Sequence, residues 1–188
     1  QKALENARKA NEMDITLLPG YRILGEAMQA GGDDKGSLGP LSTYIVYVPD
    51  DAQALCWLAI AQKANGDGRS ARKSLDQALK LDSRLFEGFV MRAELSLDEK
   101  KAEDALTDYE AAARIEPESF DASLGVAKAL MALDFPGDAY QKIEETKNLA
   151  DTEKQKAEWR FWRARSLEAL GEVEIALRDY KNVVALPT

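Results

Sequence analysis

A step of 34 residues governs this chain. Leu55, Ala59, Ala71, Leu75 and Ala78 return 34 positions later as Phe89, Ala93, Ala105, Tyr109 and Ala112. The same step backwards carries Leu55, Leu58, Ala59 and Gly66 onto Tyr21, Leu24, Gly25 and Gly32. A unit this short cannot bury a core alone and must rest on its neighbours, so the period leaves few folds open. Between Ala52 and Leu85 the apolar residues fall three to four apart in two runs, Leu55, Leu58 and Ala59, then Ala71, Leu75, Ala78 and Leu79. Asn65, Gly66, Asp67 and Gly68 separate the runs. Each unit therefore reads as two helices joined by a tight turn.

Leu24-Gly25, Gly66-Asp67 and the Tyr109 to Ala112 spacing resemble the tetratricopeptide (TPR) family. The resemblance covers essentially the whole chain. It implies an all-α fold, a right-handed α-α superhelix of about five hairpin repeats with a leading half-repeat. The expected division is a half-repeat at 1–17 and repeats at 18–51, 52–85, 86–119, 120–156 and 157–188, in one solenoid domain over 1–188. Ala3, Leu4, Ala7 and Ala10 place Gln1 inside a helical pattern, so the chain is expected to be a piece of a longer protein.

Local signals agree with this frame. Pro19 stands at a helix start and Gly31-Gly32 at a helix end. The second half of the first repeat fits least well, because Tyr44 to Val48 is rich in strand formers. Pro40 and Pro49 nonetheless fall where the period starts and stops a short helix, and helix is the reading adopted. Pro136-Gly137 opens another second helix. The fourth repeat exceeds the period by three residues, around Leu149 to Lys156. Thr152 and Gln155 have capping-box spacing there, which predicts a final hairpin whose first helix starts early and is about one turn longer than the others. Small residues at 25, 59, 93, 127 and 164 should let the helices of each hairpin approach closely.

A net charge of -8 and a pI of 4.8 argue against a nucleic-acid surface, which needs clustered Lys and Arg. No apolar run is long enough to span a bilayer and no signal-peptide pattern is present, so membrane insertion by this segment is not expected. Repeat 52–85 carries six basic against three acidic residues, and repeat 86–119 four against ten. Such alternation orients a partner or simply solvates helix faces. Cys56 is the sole cysteine, and an internal disulfide is impossible. Nothing in the residues fixes a compartment, the cytoplasm being favoured over a bacterial envelope.

Histidine is absent, which removes the commonest general base and a leading metal ligand. Asn65, Asp67 and Gly68 echo part of a calcium loop, but Lys63 and Ser74 stand where its first and last acidic ligands belong, so a hairpin turn is the better reading. Paired carboxylates at Asp33-Asp34, Asp50-Asp51 and Glu144-Glu145 fall at turns or polar faces. No catalytic residue, metal site or cofactor is expected, and Cys56 reads as a small buried thiol.

The resemblance implies that a groove lined by the first helix of each repeat grips a peptide or partner helix. Carried onto this chain, the lining residues are Arg22 and Glu26; Cys56, Trp57, Ile60 and Lys63; Val90, Met91, Glu94 and Leu97; Leu124, Lys128 and Met131; and Phe161, Trp162, Arg165 and Glu168. The alternative for the large ones, Trp159 and Trp162 above all, is a place in the core. Family members that clamp a C-terminal carboxylate use two Asn and several basic residues. Ile23, Trp57, Glu87 and Met91 occupy those places here, so a clamp of that kind is not expected. The expected function is protein interaction without catalysis. The rivals are an assembly segment that oligomerises through its terminal repeats, and the regulatory arm of a larger protein.

Overall fold

The computed structural model describes residues 17–184, and among them every regular element is helical. The helices are α1 (Leu18–Ala30), α2 (Leu38–Tyr47), α3 (Ala52–Ala64), α4 (Gly68–Leu81) and α5 (Phe86–Asp98). They continue as α6 (Ala102–Ile115), α7 (Phe120–Ala132), α8 (Pro136–Glu145), a 3-10 turn at Thr146–Leu149, α9 (Glu153–Ala169) and α10 (Val173–Val184). The chain forms two compact units, 1–91 and 92–188, divided within α5. The half-repeat expected at 1–17 lies outside the described residues but for Leu17.

In the first unit α1 packs on α2, α2 on α3, and α3 on α4. Pro19 sits in the first turn of α1, where a missing N–H costs nothing, and Gly31 caps its end. The strand-forming stretch near Tyr44 is helical, as α2. Burial decides this: Leu41 is fully enclosed and Tyr44 nearly so, while Val46 and Tyr47 face water, a helical period that outweighs propensity. Gly25 is required by this hairpin, because a Cβ there would fall 2.4 Å from Leu41 Cγ.

In the second unit α6 packs on α7, α7 on α8, α8 on α9, and α9 on α10. Its core gathers Phe120, Leu124, Ala127, Ile143, Ala150 and Trp159. Gly125 lets α7 lie against α6, since a Cβ would meet the Tyr109 ring at 2.2 Å. The extra residues of the fourth repeat form the 3-10 turn and the lead into α9. Thr152 accepts from the Gln155 amide at 3.1 Å and Gln155 accepts from the Thr152 amide at 3.1 Å, completing the capping box. At 17 residues against 13 for α7, α9 is one turn longer, as its sequence predicts.

The repeat is also written in backbone angles. Gly32, Gly66, Lys100, Asp134 and Gly171 all adopt left-handed φ, at 82°, 84°, 61°, 65° and 86°. Their spacing is the 34-residue step, lengthened by three only across the insertion. Each follows a first helix and turns the chain into the second. The small residues behave as expected too: Gly25, Ala59, Ala93, Ala127 and Ala164 are all buried.

Candidate functional site

In the first unit the structure brings two of the candidates, Arg22 and Trp57, into contact. Trp57 is half-buried against Leu41, Leu58 and Ala61, and the Arg22 guanidinium stacks 4.7 Å from its ring centroid. Arg22 donates to Asp51 Oδ2 at 3.0 Å and reaches Glu26 at 3.5 Å. Asp51 also caps α3 through the Ala54 amide at 2.9 Å and accepts the Tyr44 hydroxyl at 3.0 Å. This network fixes the guanidinium over the indole, and Glu26 stays exposed. Ile60, Lys63, Val90 and Met91 are half-buried.

Two candidates are not on an open wall. Cys56 and Leu124 have 0% and 1% exposure and belong to the packing. Phase alone does not enclose them, because Val90 and Phe161 stand at the same place in their own repeats and are half-buried and exposed; the neighbouring helices laid across each site decide. Burial, with Glu87 adding a smaller electrostatic push, raises the Cys56 thiol to about 12. It is therefore protonated and unreactive at neutral pH.

In the second unit Glu94, Leu97, Lys128, Met131 and Trp162 are half-buried, while Phe161, Arg165 and Glu168 are exposed. Lys128 donates to Glu158 at 2.6 Å. Both Lys128 and Arg165 stand over the Trp162 ring, at 5.7 Å and 5.3 Å from its centroid. Phe161 meets Trp162 edge-on at 5.6 Å, and Tyr180 donates to Glu168 at 2.8 Å. Trp159 is core: it is 6% exposed and its indole N–H donates to the Ile143 carbonyl at 2.7 Å. Of the two tryptophans of α9, Trp159 is interior, and Trp162 is half-buried with one part packed against the same core.

One device escapes the sequence reading. Arg92 grips Asp108 through two bonds of 2.8 Å, and Arg163 grips Asp179 through two of 2.7 Å. Both pairs span 16 residues and tie the first helix of a hairpin to the second. Asp179 holds the Arg163 guanidinium in its charged form, raising its pKa. The signal was present as Arg and Asp at matching repeat positions, but nothing in one sequence separates such a pair from the many exposed charges.

No metal-binding cluster of His, Cys, Asp or Glu occurs among the described residues, and none of their helices is long and apolar enough to cross a membrane. Tandem helical hairpins with small residues at the crossings and a left-handed turn residue in each define an all-α repeat protein. The fold is of the tetratricopeptide type. It is similar to a MamA structure from Desulfovibrio magneticus RS-1, at 17% identity and TM-score 0.75, covering 89% of this chain and 93% of that one. A second MamA structure gives 16% identity and TM-score 0.71, covering 89% and 90%. A TPR protein of Thermus thermophilus, TTC0263, gives 21% identity and TM-score 0.73, covering 89% and 90%. No protein-family model matches the chain, and no curated protein matches it.

Proposed function

We propose that this chain is a non-catalytic protein-interaction module whose first helices bind an extended peptide or a partner helix. The observation that carries the reading is that large apolar side chains on these helices stay partly or largely accessible to solvent: Trp57 and Ile60 in the first unit, Phe161 and Trp162 in the second. Aromatic and Arg side chains are the usual anchors of protein interfaces, the aromatics because they bury much area with few rotors and Arg because its planar fork makes paired hydrogen bonds. Cys56 and Leu124 take no part.

Trp57 is the chosen test. Partners captured from a native extract and mapped to a peptide should lose about 2 kcal/mol of affinity with Trp57→Ala, measured by titration, while the far-ultraviolet circular dichroism stays the same. Unfolding in place of lost affinity would assign Trp57 to the core and remove the site.

A second reading is favoured by α10. Val173, Leu177 and Val184 are 60%, 51% and 84% exposed and lie along one side of the helix at four- and seven-residue intervals. Self-association through that side predicts a mass by light scattering that falls on dilution and drops to a monomer with Leu177→Glu. A monomer at every concentration without ligand supports the peptide-binding reading instead.

A further inference from the structure

The second unit concentrates basic and aromatic groups around one indole. Lys128 and Arg165 hold the same repeat position in successive repeats, and both approach Trp162, so the arrangement is a product of the period. Their pairing differs. Lys128 is neutralised by Glu158 at 2.6 Å, whereas Arg165 has no carboxylate partner among the described residues. Glu168, one turn along the same helix, is engaged by the Tyr180 hydroxyl at 2.8 Å, and Arg165 is exposed. A guanidinium resting on an aromatic face keeps its N–H edge available, and that edge fits a carboxylate through two parallel hydrogen bonds. Phe161, 38% exposed and edge-on to Trp162, offers apolar surface next to it.

We infer, building on the interaction reading above, that Arg165, Trp162 and Phe161 form a recognition site for an acidic peptide segment. One Asp or Glu carboxylate of the segment sits on the Arg165 guanidinium, and a neighbouring large apolar side chain covers Phe161. The chain carries -8 overall, so a broadly acidic partner is repelled and recognition has to be local. A single unpaired cation beside an apolar patch meets that condition. Lys128 is already paired and adds no second anion position.

Two short peptides, acetylated and amidated at their ends and differing only in a Leu-Asp-Glu-Phe or a Leu-Asn-Gln-Phe centre, test this by isothermal titration against the full chain. The acidic peptide should bind about tenfold more tightly, as a charge-assisted bidentate contact implies. Arg165→Gln should abolish that difference, Arg165→Lys should restore part of it, and Phe161→Ala should weaken both peptides, with circular dichroism unchanged throughout. Equal affinity for the two peptides, a preference that survives Arg165→Gln, or no binding of either overturns the inference. Equal affinity that Phe161→Ala still weakens leaves the interaction reading standing. Partner capture indifferent to Trp57→Ala and Arg165→Gln alike removes the interaction reading itself.

Discussion

Asp51 engages three groups with two oxygens, the Ala54 amide, the Arg22 guanidinium and the Tyr44 hydroxyl. Burial alone would raise its pKa, but these hydrogen bonds outweigh burial and hold it below the ordinary 3.8. A carboxylate depressed in this way stabilises the fold above its unfolded pKa, and the contribution is lost as pH falls through the lower folded value. Asp51→Asn should therefore cost about 1 to 2 kcal/mol at pH 7, with the gap from wild type closing below about pH 4. Thermal melts from pH 7 to 3 check this, and a gap independent of pH would refute the role. At Lys100 a side chain is held at φ 61°, in the place where three other repeats use glycine. Lys100→Gly should raise stability by about 0.5 to 1 kcal/mol in urea unfolding, because relief of the left-handed strain exceeds the added freedom of the unfolded chain. A loss of stability would show that Lys100 makes contacts worth more than its strain.

At the scale of the element, caps and burial decide what propensity leaves open. The insertion in the fourth repeat is absorbed without a break because Thr152 and Gln155 start α9 afresh, four residues before the small-residue register would demand. Thr152→Ala should cost about 1 kcal/mol and fray the first turn of α9, seen as faster amide exchange at its first residues. Exchange unchanged there would mean that packing alone fixes the helix start. In α2 the β-branched and aromatic residues point the other way, yet the Leu41 and Tyr44 positions match a buried helical stripe. That outcome was legible only because Pro40 and Pro49 frame it at the right period. The left-handed turn was legible at Gly32, Gly66 and Gly171, but not at Lys100 or Asp134, where side chains conceal the same backbone.

At the scale of the whole molecule, helices that within each unit touch mainly their neighbours in sequence make stability a chain of local terms. The Arg163–Asp179 pair belongs to one such term, and Asp179 is 2% exposed. Asp179→Ala leaves the half-buried Arg163 guanidinium with only the longer Glu144 contact at 3.5 Å and the Trp159 ring at 4.4 Å, and it should lower the opening free energy of α9 and α10 by about 1 to 3 kcal/mol. Amide exchange in α3 and α4 should be little changed. Equal loss of protection throughout would show one cooperative block in place of locally coupled hairpins.

The sequence by itself determined the hairpin period, the turns, the small residues at the crossings and the longer α9, because each follows from local stereochemistry repeated at a constant interval. It did not determine which large side chain at a recurring position meets water. Cys56, Leu124 and Phe161 hold the same place in their repeats, yet the first two are enclosed and the third is 38% exposed. Only the tertiary structure decided this, since exposure depends on what the neighbouring helices lay across the site. The same holds for Arg165, which rests on the Trp162 ring with no carboxylate partner among the described residues.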